Sequence, residues 1–381
     1  MAFSPMKKTV SILLLCAVIA VGFLSYGYFR TETPVEKVYI AAEGDGKIVV
    51  VDPIKGKVLR SIDLSIVHEG GTFSFAPHNV QVSPDNRSVW VTANAGAHSD
   101  HSAWARSAFA HGDEESAADS GEKDEIIIID PETDTVTERI PIGAGLHLAH
   151  VVLTPDSRRA YVTAQNAGVV FKVDAISHKV LKAIPIGEKS DEPHGIRITP
   201  DGAKAVIAML KGKTLIVLDL ATEKAEVIPT GGAGVQAGVA PDGTVAVVSL
   251  YDTKELALYL FGTKTLLKIP LPQSSRGPVQ MYLTADSKFV YLADQGYYFG
   301  EPTSDLVYKI DLEKLEVVKE IKAGRAPHGV AISPDGARVY VTNLLSGDLS
   351  VIDTATDSEV KRIGVGKEPN GVSVWTKNSG D

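Results

Sequence analysis

The chain has 381 residues, 44% of them hydrophobic, and a formal net charge of −9. That acidity argues against nucleic acid or an anionic membrane surface as the main partner. The single cysteine, Cys16, lies in the N-terminal apolar run, so the folded part contains no disulfide, which leaves the redox compartment open.

Lys7 and Lys8 precede an apolar run that reaches Phe29, and Arg30 then opens a polar linker over 30–36. About 20 apolar residues cross a bilayer as a helix. The same basic-then-apolar order describes a signal peptide, with Ala20-Val21-Gly22 a tolerable cleavage site. Residues 1–29 are therefore expected to form one hydrophobic helix, acting as a signal anchor or a cleaved signal peptide. In either case the basic flank stays inside and the remainder is exported. The expected location is a bacterial or archaeal cell envelope: anchored in the inner membrane and facing the periplasm or exterior, or secreted after cleavage.

From residue 37 onward one strand phrase returns seven times. It begins as Val38-Tyr39-Ile40-Ala41, continues through Val89-Trp90-Val91-Thr92 and Ala160-Tyr161-Val162-Thr163, and ends as Val339-Tyr340-Val341-Thr342. Six copies follow a turn of the Ser-Pro-Asp-Gly kind, with its carboxylate at Asp85, Asp156, Asp201, Asp242, Asp286 or Asp335. The unit is about 45 residues, and a period of that size with several short strands is the signature of a β-propeller. Each unit divides into four strands: the run into the turn, the Tyr-Val-Thr phrase, an intensely apolar run such as 126–130, and a run of the Arg139-Ile140-Pro141-Ile142 kind. Continuous β-branched runs suit strands buried on both faces. The turn residues are punctuation: Pro presets φ, Asp caps the turn and Gly accepts positive φ.

The first unit lacks its first strand, and the missing piece stands at the far end as Asn370-Gly371-Val372-Ser373-Val374-Trp375. The expected fold is all-β: a seven-bladed β-propeller of four-stranded antiparallel blades over 37–376, with its ring closed by the C-terminal strand. Residues 377–381 form a short tail. Closure of this kind removes the open sheet edge.

Two features exceed the repeat. A polar insertion over 97–125 in blade two holds His98, His101 and His111 and then an acidic run that includes Asp113, Asp124 and Glu125. It is read as a solvated lid. Second, histidines recur where first strands begin: His78, His194 and His328 lie seven residues before the turn Asp and His150 six before, Gln236 and Gln280 hold that second position in their blades, and Asn370 matches the histidine position in blade one. The long Gly-rich loop over 68–77 and the aromatic group Tyr297-Tyr298-Phe299 open on the same face. A ligand-binding rim of His78, His150, His194, His328, Tyr297 and Tyr298 follows. Neutral imidazole is the commonest transition-metal ligand, which makes His78, His194, His328, His98, His101 and His111 metal candidates. The competing interpretation is structural, with each imidazole bonding backbone groups near the channel.

Val339-Tyr340-Val341-Thr342-Asn343, preceded by Pro327-His328-Gly329 and Ser333-Pro334-Asp335-Gly336, resembles the YVTN family of β-propeller repeats. That resemblance covers 37–375 and implies an exported seven-bladed propeller of bacterial or archaeal surface-layer-like kind. It supplies no active site that matches residue by residue. The leading functional expectation is a non-enzymatic binding or scaffold module, tethered to the membrane through its N-terminal helix. An unknown protein or small ligand would meet its channel-mouth face. The alternative is a redox or assembly protein using channel histidines to hold a transition metal or noncovalent haem, since no Cys-x-x-Cys-His is present for covalent attachment. A lactonase-like hydrolase stands third, resting on fold analogy.

Overall fold

Alternating apolar runs and Pro-Asp-Gly turns fold as the repeat directs. A computed structural model describes residues 36–68, 71–96 and 122–377 and shows seven four-stranded antiparallel sheets in a ring. The N-terminal segment, most of the insertion with His98, His101 and His111, and the C-terminal tail lie outside the described residues. Blade one combines Glu36–Ala42, Lys47–Asp52 and Lys57–Asp63 with the C-terminal strand Pro369–Thr376, which pairs antiparallel with Glu36–Ala42. The ring is closed by that strand. Blades two to seven each use four strands in chain order.

The core lies between blades. Tyr39, Phe75, Val91, Ile127 and Trp375 form one such layer, joining blade one to blade two. The recurring turns are local scaffolding: Thr154, Thr199, Thr284 and Ser333 donate to Asp156, Asp201, Asp286 and Asp335 at 2.5–2.6 Å. These hydrogen bonds hold the four carboxyls below their ordinary range.

Two sequence expectations change at this level. The strand of blade two that follows the insertion starts at Asp124, so the end of the acidic run belongs to the sheet. Asp124 accepts from the backbone N–H groups of Ala95, Leu146 and His147, and Glu125 pairs with Arg139 at 2.9 Å. Buried acceptor sites draw in these two carboxylates. The stretch over 68–77 is also not one long loop: Ile66–His68 pairs with Gly71–Phe73, and the first strand of blade two already begins at Phe75.

Every blade departs from regular pairing between its first and second strands. The ladder between first and second strands slips between Pro77 and Asn79, Leu148 and Val151, Pro193 and Ile196, Gly234 and Ala237, Pro278 and Met281, and Pro327 and Val330. In blade one it slips between Ile40 and Ala42, opposite Asn370 and Gly371. A bulge bends the strand and re-aims a side chain. Here it also frees backbone groups, and the Thr of the Tyr-Val-Thr phrase satisfies them. The Thr163 hydroxyl accepts from His150 N–H at 3.0 Å and donates to the His194 carbonyl of the next blade at 2.7 Å. Thr92, Ser249 and Thr342 make the same pair of bonds across their own seams. A buried group left without such a partner costs about 1–3 kcal/mol.

Glycine follows histidine at His194 and His328 because the next blade's bulge comes so near. A Cβ on Gly195 would stand 2.6 Å from Gln236 Cα, and one on Gly329 would stand 2.2 Å from the Asn370 carbonyl oxygen. No side chain fits there.

Candidate metal centre

The seven bulges bring His78, His150, His194, Gln236, Gln280, His328 and Asn370 to one end of the central channel, all buried. Consecutive blades are neighbours, so this is also their order round the ring. It closes where Asn370 Nδ2 lies 3.2 Å from His78 Nδ1.

Three of the imidazoles converge. Ring centroids are 5.5 Å apart for His78 and His194, 5.0 Å for His150 and His194, and 6.0 Å for His78 and His150, all edge-on. One nitrogen of each lies within 4.8 Å of the others. An ion at about 2.0–2.1 Å from each nitrogen would hold them roughly 3.3 Å apart. Closing on a metal therefore asks for ring shifts on the order of 1 Å.

Their hydrogen bonds prepare them for that role. His194 Nδ1 donates to the Val235 carbonyl at 2.8 Å, which leaves the Nε2 lone pair for a ligand. His78 Nδ1 lies between Glu43 Oε1 at 3.4 Å and the Asn370 amide nitrogen at 3.2 Å, and that amide donates to Glu43 Oε2 at 2.6 Å. A carboxylate behind a histidine is the usual outer support of a metal ligand. His78 Nε2 and both nitrogens of His150 are buried with no hydrogen-bond partner among the described residues. Burial, then the neighbouring His194 and His78, hold His150 well below the ordinary imidazole range. Burial and then His78 push His194 down to about 3, against the pull of the Val235 carbonyl. Both are neutral at physiological pH, which is the form that binds metal.

His328 is placed differently. Tyr298 N–H donates to Gln295 Oε1 at 3.3 Å, which turns the Gln295 amide nitrogen toward His328 Nδ1 at 2.8 Å. Nδ1 then accepts, and the proton sits on Nε2. His328 faces the channel as a donor, outside the three-imidazole cluster. His150 takes the place in that cluster that the sequence reading of the metal ligands gave to His328. Tyr298 packs edge-on against His328 at 5.4 Å, and Tyr297 lies beside it in a short 3₁₀ turn, Tyr297–Phe299.

Sequence reasoning missed Glu43, Gln295 and His147, which stacks edge-on to His78 at 5.3 Å. A signal for the first two existed. Glu43, Gln165 and Gln295 all stand two residues beyond the Tyr-Val-Thr phrase, as does Asn94, and each side chain reaches the start of a neighbouring blade's first strand.

A family model described as a YNCE-like β-propeller matches residues 295–380. No curated protein matches. Among solved structures, a functionally unknown protein from Desulfotomaculum acetoxidans superposes with a TM-score of 0.66 at 14% identity, covering 90% of this chain and 99% of the other. The periplasmic gluconolactonase PpgL of Pseudomonas aeruginosa gives 0.64 at 17%, with the same coverage of 90% and 99%. The dihydro-heme d1 dehydrogenase NirN, solved in complex with DHE, gives 0.57 at 16%, covering 88% of this chain and 65% of that one. The fold is a seven-bladed β-propeller. At these identities the likeness carries fold alone, and proteins so different in their titles share it.

Proposed function

We propose that this chain is an exported propeller that binds a transition-metal ion in its channel through His78, His150 and His194. The observation that carries this is the convergence of three buried imidazoles within 4.8 Å, with His78 Nε2 and both His150 nitrogens lacking a protein partner. Leaving buried imidazole nitrogens unpaired costs free energy, and a metal ion offsets that cost. Three imidazole nitrogens within 4.8 Å of one another can reach a single ion together, which favours an ion as the guest. The imidazole donor set suits zinc, copper, nickel or cobalt.

The test is titration of the full-length, detergent-solubilised chain with Zn(II) and Co(II), followed by elemental analysis after gel filtration. About one ion per chain is expected, lost when His78, His150 and His194 are replaced together by Ala. A wild-type chain that elutes metal-free, or a triple variant that retains the ion, would overturn the assignment.

Export and tethering rest on Lys7, Lys8 and the apolar run behind them. Protease added to intact spheroplasts is expected to digest the propeller while a fragment from the N-terminus stays in the membrane pellet. Full protection of the propeller until lysis would refute export.

A further inference from the structure

We propose that the metal held by His78, His150 and His194 carries a small monoanion as its next ligand, received by Gln236, Gln280 and His328 on the opposite side of the ring. This rests on the metal reading above and adds to it the class of ligand. Three arguments lead there.

The first is order. Round the ring, the three ligand imidazoles are contiguous, and Gln236, Gln280 and His328 follow as the next three positions. The side beyond the three imidazoles thus carries N–H groups, together with one orphaned acceptor, Gln236 Oε1. Gln236 Nε2, Gln280 Nε2 and His328 Nε2 are all buried without a protein partner among the described residues. The hydrogen-bond chain from Tyr298 through Gln295 fixes the proton on His328 Nε2, so it points a donor at the same space. Orphaned buried donors on the open side of a three-ligand metal are matched by an acceptor atom bound to that metal.

The second is charge. Three neutral imidazoles leave a divalent ion with its full charge, and Glu43, behind His78, supplies one carboxylate. A buried, uncompensated positive charge is costly. One monoanion on the metal removes the excess that Glu43 leaves.

The third is coordination. A three-histidine site keeps a position open for an exogenous ligand, whereas a closed structural site uses four protein ligands. Gln236 and Gln280 occupy the ring positions from which a fourth protein ligand would come, and their amides can hydrogen-bond a bound anion where a histidine there would itself ligate.

Cobalt and azide test this together. The Co(II)-loaded full-length chain is titrated with sodium azide, and acetate as a second probe, while the visible ligand-field bands are followed. A saturable spectral change is expected. In Gln236→Leu and His328→Leu, azide should bind about tenfold or more weaker, since each loses one hydrogen bond to a charged group. Gln236→Glu needs no new cavity and sets a carboxylate where the anion would lie. It should still take up cobalt but lose the azide response. If the wild-type chain takes up no cobalt, the metal reading fails and this inference falls with it. If cobalt binds in the ring but the bands ignore azide and acetate, or respond with unchanged affinity in all three variants, only the inference is overturned.

Discussion

A chain shortened by residues 370–381 is expected not to fold cooperatively. Those residues supply nearly all of the strand that pairs with Glu36–Ala42 and closes the ring. They also carry Trp375, buried in the layer between blades one and two with its indole N–H on the Asn86 carbonyl at 2.8 Å. The Ser373 hydroxyl accepts from Val82 N–H, and the Asn370 carbonyl accepts from Thr342, so both flanking seams lose a bond as well. Removing a buried Trp alone costs about 3–5 kcal/mol. With the ladder, the side-chain bonds and an exposed sheet edge added, the loss reaches the whole stability of an ordinary domain, about 5–15 kcal/mol. Differential scanning calorimetry should show no cooperative transition and light scattering should show aggregation, while Trp375→Ala should retain a transition at lower temperature. A shortened chain with the wild-type melting curve would contradict the closure.

The metal-free protein should lose stability steeply on acidification, beginning near pH 6.5. His194 and His328 are both pushed down to about 3, chiefly by burial. In the unfolded chain they titrate near the ordinary imidazole value of about 6.5. Above that pH both states are neutral and the two residues carry no pH dependence. Below it the unfolded chain binds protons that the native chain refuses, so stability falls with pH until the native imidazoles also charge near pH 3. At pH 5 the loss is about 2 kcal/mol for each of the two. His150, held well below the ordinary range, adds to it. Urea midpoints recorded from pH 7.5 to 4.5 should fall in this window, and His194→Gln with His328→Gln should flatten the fall. A midpoint that stays level down to pH 5 would show that the imidazoles are hydrated or already paired.

The propeller was legible because its determinants are local and repeated. An apolar β-branched run, a Pro-Asp-Gly turn and a Tyr-Val-Thr phrase each specify their own strand or hairpin, and the displaced strand at 370–375 shows itself as the piece that blade one lacks. The histidine positions were legible for the same reason. Which of them would meet was not. That depends on the bulge, on two Gly residues that let adjacent bulges close in, and on hydrogen bonds from Glu43 and Gln295, which lie far away in sequence. His150 sits one place off the register of His78 and His194 relative to its turn, and spacing alone gave no reason to prefer it to His328. Asp124 and Glu125 looked like the end of a solvated acidic run because the backbone N–H groups that claim Asp124 lie elsewhere in the chain.

The bulge has an implication for how such a molecule changes over time. It delivers one variable side chain per blade to a common axis while the strand around it stays pinned by a hydroxyl from its neighbour or by the ladder itself. Chemistry at the axis can therefore be rewritten a single codon at a time, with no strand moved and no turn disturbed. A histidine in place of Gln236 would set a further imidazole beside the cluster of His78, His150 and His194. An alanine in place of His150 would erase the centre and leave the scaffold whole. Variable side chains on a shared frame would allow chains with the same silhouette to diverge in what they bind.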